Sequence, residues 1–223
     1  MTIAREGWPH IFTLLAVGGL LLLLGWYWLG GIIVFLGLFT TFFFRDPDRK
    51  VLQDAKLVVS PADGKVVKVV PAPAGNPLGE GASQVSIFLS VFDVHVNRAP
   101  IGGRIARVEY HKGKFLPAFD DKASLQNEQN SVTIEGDGSR VVFKQIAGLI
   151  ARRIVFWKRV DDPVERGERV GLIKFGSRVD VFLPAEVELK VKVGDRVTGG
   201  ISVLGEKRAA AAAATTPAIA AAS

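Results

Sequence analysis

Charged and apolar residues occupy different parts of this chain. No charged residue lies between Ile11 and Phe44, and only Arg5 and Glu6 are charged before that run. One helical crossing of a bilayer needs about 20 apolar residues, so the run is too long for one crossing and slightly short for two. The pattern predicts a hydrophobic segment over residues 1–44 and a domain with a different environment after it.

A turn is predicted near the middle of the apolar run, where small and interfacial aromatic residues alternate. These residues are Gly25, Trp26, Tyr27, Trp28, Gly30 and Gly31. They favour a helical hairpin that anchors the protein in a membrane, and a re-entrant or surface-lying hairpin is the alternative left open. A cleaved signal peptide is disfavoured, because its apolar core spans only about 7–15 residues.

Both flanks of the predicted hairpin are basic. Arg5 precedes it, and Arg45, Arg49 and Lys50 follow it. Because basic residues concentrate on the cytoplasmic side of membrane segments, both ends are expected in the cytoplasm. We therefore expect the protein at the bacterial cytoplasmic (inner) membrane, with the following domain facing the cytoplasm.

Residues 45–205 have the pattern of a mainly β domain. Short β-branched runs alternate with Gly, Pro, Asn and Asp, and no long amphipathic helix is apparent among them. The predicted strands are Leu57–Ser60, Lys65–Val70, Val85–Leu89, Arg104–Tyr110, Ser131–Ile134, Arg140–Ile146, Val170–Phe175, Val179–Leu183, Glu186–Val193 and Ile201–Leu204. The predicted fold class is a β-sandwich or barrel-sandwich-like domain behind an N-terminal hydrophobic helical hairpin.

Two turn-containing segments at opposite ends of this domain are predicted to lie side by side. They are Ser60–Val66 and Val193–Val197, and each places a turn beside a strand. The second resembles the hairpin of biotinyl and lipoyl carrier-like β-sandwiches, a likeness of fold alone. No lysine occupies a matching hairpin tip, so a swinging cofactor arm is not proposed.

The composition limits the kinds of functional site and partner that this chain can have. The chain has no cysteine, which excludes disulfides and thiolate sites, and its 3 histidines disfavour a histidine-rich metal centre. The net charge of +6 favours anionic lipid over nucleic acid as a partner, since the basic residues follow a membrane segment. Residues 206–223 are predicted to form a disordered, alanine-rich tail.

Three local sequences carry the remaining candidate chemistry. They are Phe175–Arg178 with its Gly-Ser pair, Phe92–Pro100 with His95, and Ser60–Lys65 with Asp63. Taken singly, a Gly-Ser pair between strands is a turn, a lone histidine is a hydrogen-bonded structural residue, and Asp-Gly is an ordinary β-turn. Only their combination, in this order and behind a predicted membrane anchor, indicates a function.

Together these sequences resemble the phosphatidylserine decarboxylase family, and within it the short prokaryotic, archaeal-type branch. The resemblance runs from Arg45 to Leu204. It is carried by Ser-Pro-Ala-Asp-Gly, Phe-Leu-Ser-x-x-Asp-Val-His-Val-Asn-Arg-x-Pro, Asn127–Asn130, Gln145–Gly148 and Phe-Gly-Ser-Arg-Val-Asp.

The resemblance implies a self-processing enzyme. The hydroxyl of Ser177 would attack the carbonyl of Gly176, and β-elimination would then cleave the chain and leave a pyruvoyl group. The fragments 1–176 and 177–223 would stay associated. The pyruvoyl carbonyl would form a Schiff base with phosphatidylserine, whose decarboxylation gives phosphatidylethanolamine in phospholipid biosynthesis, with no metal and no nucleic acid involved.

The resemblance also implies roles for individual residues. His95 matches the family's acid/base histidine, and Asp63 matches the carboxylate implicated in self-cleavage. Longer bacterial relatives carry a second histidine where this chain has Arg98, and arginine is a poor base. Either His95 serves both processing and turnover or Asp63 does more, and Arg98, Asn97 and Phe92 are the candidate substrate-binding residues.

Two other functions are kept open. The first is a non-enzymatic, membrane-tethered β-sandwich in which Gly176-Ser177 is only a turn. The second is the same chemistry on another amino-acid substrate. A homo-oligomer is compatible with the sequence in either case.

Overall fold

The computed structural model describes residues 2–114, 126–136, 138–148, 153–174 and 176–208. Within these ranges strands predominate over helices, which confirms the predicted mainly β class. The predicted alanine-rich tail lies outside the described residues from 209 onward. The last described strand runs to Lys207, two residues past the predicted domain boundary.

The apolar segment folds into two packed antiparallel helices. A short 3-10 turn, Arg5–Gly7, leads into α1 (Trp8–Leu23), and α2 (Tyr27–Phe43) follows after a turn in which Gly25 has φ +82°. Only glycine adopts such a left-handed conformation readily. By length and composition, the 19 residues Arg5–Leu23 could cross a membrane, whereas α2 is shorter.

Glycines allow the two helices to approach closely. A Cβ added to Gly18 would lie 2.9 Å from the backbone nitrogen of Val34, and one added to Gly30 would lie 2.9 Å from the backbone nitrogen of Leu22. Gly19 and Gly31 face open space. The helices therefore pack through one glycine-lined face, as small residues permit in membrane helix pairs.

The strands of the described chain are numbered in chain order. They are β1 (Thr2–Ile3), β2 (Arg45–Asp46), β3 (Leu57–Val59), β4 (Gly64–Pro71), β5 (Ser83–Leu89), β6 (Val96–Arg98), β7 (Gly103–His111), β8 (Gln129–Gly136), β9 (Ser139–Ala147), β10 (Ile154–Phe156), β11 (Pro163–Val164), β12 (Arg169–Ile173), β13 (Ser177–Leu183), β14 (Val187–Leu189), β15 (Arg196–Val197) and β16 (Val203–Lys207). Each of the ten predicted strands overlaps an observed one.

An eight-stranded sheet curled into a half-barrel forms the centre of the domain. Its order is β11-β7-β8-β9-β13-β5-β4-β15, and all its pairs are antiparallel. Three-stranded sheets β10-β12-β6 and β14-β16-β3 accompany it. Side chains buried between these layers, such as Ile87, Phe143 and Val181, form the main hydrophobic core.

The predicted pairing of the two turn segments is confirmed. Arg196 and Val197 of β15 pair with Lys65 and Gly64 of β4, and the nitrogen of Val66 donates to the carbonyl of Asp195 over 2.9 Å. The short strands β6, β10 and β11 are not among the predicted ones. All three residues of β6 are buried, so this strand lacks the alternation on which strand prediction depends.

A second hydrophobic cluster joins the helical hairpin to the β domain. Phe43 and Phe44, at the end of α2, pack with Val94, Val96 and Leu172. The pairing of β1 with β2 closes the base of the hairpin beside this cluster. The apolar segment is thus packed directly onto the part of the domain that carries His95.

Candidate active site

Ser177 is the first residue of β13, in the middle of the half-barrel sheet. It pairs with Leu89 of β5 on one side and with Ala147 of β9 on the other. Its side chain is 0% exposed, and its hydroxyl oxygen has no hydrogen-bond partner in the described part of the chain. The preceding Gly176 has φ +63°, a left-handed backbone that favours glycine.

His95 lies directly against this peptide. Its Nε2 accepts a hydrogen bond from the backbone nitrogen of Gly176 over 3.2 Å, and its Nδ1 lies 2.9 Å from the carbonyl oxygen of Asp93. Because Nε2 accepts, the ring proton is on Nδ1 and is donated to Asp93. The structure therefore brings together the predicted histidine and the predicted cleavage peptide.

Burial keeps the imidazole of His95 neutral. The residue is 2% exposed, and the ring of Phe43 lies 4.2 Å from it, centroid to centroid. Desolvation is the largest influence and lowers the pKa of His95 to about 4, against a smaller raising effect from its hydrogen bond to the Asp93 carbonyl. At neutral pH Nε2 is therefore unprotonated, and its lone pair accepts the hydrogen bond from the Gly176 nitrogen.

The turn that carries His95 is fixed by the carboxylate of Asp93. Its Oδ2 accepts from the backbone nitrogen of Ser90 over 2.8 Å and from the Ser90 hydroxyl over 2.7 Å. Its Oδ1 accepts from Arg196 of β15 over 2.9 Å. These bonds hold the segment between β5 and β6 in one conformation, as a positioned acid/base group requires.

Asp63 is held by a different set of contacts. Its carboxylate accepts two hydrogen bonds from Arg49, at 2.6 and 2.8 Å, and one from the backbone nitrogen of Gly199 at 2.8 Å. Its charge raises the pKa of His95 slightly, so the two residues interact electrostatically. No hydrogen bond among the described residues joins Asp63 to His95 or Ser177, and its part in self-cleavage stays a prediction.

The three candidate substrate-binding residues lie in different surroundings. Arg98 is 4% exposed and donates to the carbonyl of Gly167 and to the carboxylate of Asp46. Phe92 is 65% exposed, with its ring edge against Phe39 of α2. Asn97 is fully buried beside β9, where its Oδ1 accepts from Gln145. Their substrate contacts stay predictions.

Sequence reasoning missed two features of this site. Phe43 belongs to the long apolar run, in which nothing distinguishes it from its neighbours, yet its ring covers His95. Asn130 and Gln145 were noticed as motif residues without a role. The sequence feature that could have identified them is a polar amide at an inward-facing strand position whose neighbouring inward positions are apolar. Both side chains are buried.

The sequence profile of the phosphatidylserine decarboxylase family matches residues 36–205. Three relatives carry the name phosphatidylserine decarboxylase proenzyme. The protein of Symbiobacterium thermophilum is 48% identical over 91% of this chain and 94% of its own length. The protein of Solibacter usitatus is 54% identical over 78% and 82%, and that of Syntrophus aciditrophicus 47% identical over 91% and 96%, respectively.

The family match covers Ser177 on β13, Asp63 and His95 in the segments just before β4 and β6, and the second half of α2 from residue 36. The finer assignment to the archaeal-type branch stays a prediction. The agreement between the matched range and the site geometry identifies the chain as a member of the phosphatidylserine decarboxylase family.

Proposed function

We propose that this chain is a proenzyme that cleaves itself between Gly176 and Ser177 and then decarboxylates phosphatidylserine to phosphatidylethanolamine. The observation that carries the proposal is the contact of His95 Nε2 with the Gly176 nitrogen, 3.2 Å away, beside the buried and unpartnered hydroxyl of Ser177. The names of the three relatives support the same substrate and the proenzyme state.

Self-cleavage begins with Ser177. Its Oγ bonds to the carbonyl carbon of Gly176, the hydroxyl proton passes to His95, and the C–N bond between Gly176 and Ser177 breaks as the nitrogen takes up a proton. The product is an ester. Loss of the Ser177 α-proton then breaks the Cβ–Oγ bond and releases the Gly176 carboxylate. Water converts the remaining dehydroalanine to a pyruvoyl group, and ammonia leaves.

The surroundings of Ser177 suit this chemistry. A serine hydroxyl is a weak nucleophile and needs a nearby base, which the neutral His95 supplies. Among the described residues Oγ has no hydrogen-bond partner that it would have to give up before it attacks. The left-handed backbone at Gly176 is one that a side chain would disfavour, and it turns the peptide out of the regular sheet just before the bond that breaks.

The same residues support turnover. A pyruvoyl group at position 177 supplies a carbonyl that holds the substrate amine and withdraws electrons as carbon dioxide leaves. His95 is placed to hold and return a proton at this position, since its Nε2 faces the peptide that the cleavage opens. His95 therefore serves both processing and turnover, and Asp63 acts on it through charge.

The helical hairpin supports a lipid substrate. We propose that residues 1–44 anchor the enzyme in the cytoplasmic membrane and that residues 45–205 form the catalytic domain on the cytoplasmic face. The exposed apolar residues of the hairpin, among them Trp28 at 91% exposure, need a nonaqueous environment. Because α2 ends at Phe43, whose ring packs on His95, the site lies where a phospholipid headgroup would meet the anchor.

The two fragments are proposed to stay together. β13 and β15 belong to fragment 177–223 and pair with β5, β9 and β4 of fragment 1–176. β16 likewise pairs with β3. These contacts keep the new chain end at position 177 inside the sheet after the bond breaks.

Intact-mass measurement of the purified protein tests the proposal. The wild type should give two fragments, the smaller one beginning with a ketone that borohydride reduces, and should release carbon dioxide from phosphatidylserine vesicles. Ser177→Ala should give one uncut chain, while Ser131→Ala, which removes another buried hydroxyl in the same sheet, should still be cut. An uncut, folded wild type would instead favour a tethered, non-enzymatic β module. Release of carbon dioxide from free serine, but not from phosphatidylserine, would favour another substrate.

A further inference from the structure

Three buried amide side chains form a directed hydrogen-bond chain across the half-barrel sheet. Asn130 Nδ2 donates to Gln145 Oε1 over 3.0 Å, and Gln145 Nε2 donates to Asn97 Oδ1 over 2.9 Å. Asn130 is 3% exposed, and the other two are 0% exposed. We call these residues the amide chain.

The amide chain ends in a donor without an acceptor. Asn97 Oδ1 is taken by Gln145, so the free end of the chain is Asn97 Nδ2. This nitrogen is buried and has no hydrogen-bond partner in the part of the chain that the structure describes. An unsatisfied buried donor destabilises the folded protein, so its presence calls for an explanation.

Sheet register brings this donor to the face that carries Ser177. Gln145 pairs with Asn130 on one side and with Val179 on the other, and Ser177 pairs with Ala147. Directly paired residues share a face of a sheet, and so do residues two apart along a strand. The side chains of Asn130, Gln145 and Ser177 therefore lie on one face, and Asn97 reaches that face through its bond to Gln145.

Asn97 and His95 approach this face from the same segment. They are two residues apart, and the Ile173 nitrogen, which donates to the His95 carbonyl, continues the β12-β6 pairing to His95, so their side chains project to the same side. His95 contacts the Gly176 nitrogen, and Asn97 contacts Gln145 on β9, the strand next to Ser177. One buried layer thus holds a base, an unpartnered hydroxyl and an unpartnered N–H donor.

A donor without a ground-state acceptor suits an acceptor that forms only during the reaction. Attack by Ser177 on the Gly176 carbonyl places negative charge on the carbonyl oxygen, while the hydroxyl proton goes to His95 and later to the Ser177 nitrogen. We propose that Asn97 Nδ2 donates to this oxyanion, and that Gln145 is the positioning residue that keeps the donor end of Asn97 turned inward. The proposal rests on the self-cleavage proposed above.

The first test removes the donor and keeps the shape. Asn97→Asp should slow self-cleavage during cell-free synthesis by about 10²–10³-fold, the usual effect of losing one oxyanion donor. Asn76→Asp introduces the same charge in the turn between β4 and β5 and should cleave at the wild-type rate. Wild-type cleavage in Asn97→Asp overturns the inference alone, whereas an uncut wild type overturns the proposed function itself.

Hydroxylamine identifies the step at which Asn97 acts. It cleaves esters, so it cuts a chain in which the acyl shift has occurred but elimination has not. Asn97→Asp should stay uncut in hydroxylamine, because its block precedes the ester. Rapid hydroxylamine cleavage of this variant would assign Asn97 to elimination and overturn the oxyanion role.

Gln145→Glu tests the direction of the hydrogen bonds in the amide chain without changing Asn97. An ionised carboxylate accepts from both neighbours, so Asn97 must turn its nitrogen toward position 145 and its oxygen toward Ser177. Cleavage should then be slow at high pH and recover at low pH, where the protonated acid donates to Asn97 as the amide does.

The self-cleavage rate of Gln145→Glu is divided by that of the wild type at each pH, which cancels effects that the two proteins share through His95 and the nearby carboxylates of Asp93 and Asp63. A ratio that does not change with pH overturns the positioning role of Gln145. Gln145→Glu also tests the oxyanion proposal if Asn97→Asp does not fold, which thermal melting of Asn97→Asp in detergent would reveal.

Discussion

The ring of Phe43, the last residue of α2, lies 4.2 Å from the imidazole of His95, centroid to centroid. Phe43 is completely buried, and it packs against Phe44 and against Val94 and Val96 on either side of His95. The helical hairpin therefore forms one wall of the histidine's pocket. The hairpin thus shapes the electrostatics of the site through the contact of Phe43 with His95.

Phe43→Ala should raise the pKa of His95. Truncating the ring admits water, and desolvation is the main reason why this pKa lies at about 4 instead of 6.5. The titration can be followed by NMR of labelled histidine in the uncut Ser177→Ala background. Phe35→Ala truncates an exposed ring on the same helix and should leave the pKa unchanged. An unchanged value in Phe43→Ala would mean that other walls exclude the water.

The pKa of His95 also predicts how stability depends on pH. Because the folded pKa of about 4 is below the unfolded value of 6.5, the unfolded chain binds more protons between these values. The free energy of unfolding should be largest above pH 6.5 and fall toward pH 4, by on the order of 3 kcal/mol from this group. Urea titrations in detergent measure it.

His95→Gln should flatten the slope of that pH profile, since the variant cannot take up the proton on unfolding. His111→Gln, at the exposed end of β7, is the matched control and should keep the wild-type slope. Equal slopes in wild type and His95→Gln would contradict the prediction.

Gly18→Ala and Gly19→Ala should change stability in opposite directions. Both gain helix propensity, worth about 1 kcal/mol relative to glycine. The new methyl at Gly18 meets the backbone nitrogen of Val34 at 2.9 Å, whereas at Gly19 nothing lies within 4 Å. Thermal melting in detergent should fall for Gly18→Ala and rise slightly for Gly19→Ala. A rise in both would show that the helices separate easily.

Asp180→Ala should destabilise the half-barrel strongly. Arg178 and Asp180 form a buried ion pair on the face of β13 opposite Ser177, with Nε to Oδ1 at 2.7 Å, and Gln84 also donates to Asp180. Removing one partner of a buried pair costs about 3–5 kcal/mol. Replacing both charges, by Arg178→Leu with Asp180→Leu, should cost less than the single change. Chemical denaturation of both variants in the Ser177→Ala background measures the difference.

Local pattern was sufficient for the strands that form the core. Alternation and β-branched runs identified β4, β5, β7, β8, β9 and β13, because each has a buried and a polar side or a fully apolar stretch. The paired turns of β4 and β15 were also foreseen. The likeness to a family supplied the pairing of His95 with Gly176, which no local pattern contains.

Other parts of the site depend on contacts between distant segments. Arg98 was assigned to substrate binding from its motif position. That role stays a prediction, and the structure adds a contact of its guanidinium with Asp46 of β2, the strand that pairs with β1. The contact of Phe43 with His95 joins residues far apart in the sequence in the same way. Neither contact follows from periodicity, since both are set by how the helical hairpin packs on the β domain.

Because β13 lies between β5 and β9, the proposed cut should make refolding of the protein much harder. Before cleavage β13 is part of one continuous chain, and folding is unimolecular. Afterwards the strand is a separate polypeptide, so recovery from denaturant requires two molecules to meet and depends on protein concentration. The two fragments of the mature enzyme would therefore regain their folded structure far less readily than the uncut precursor reaches it.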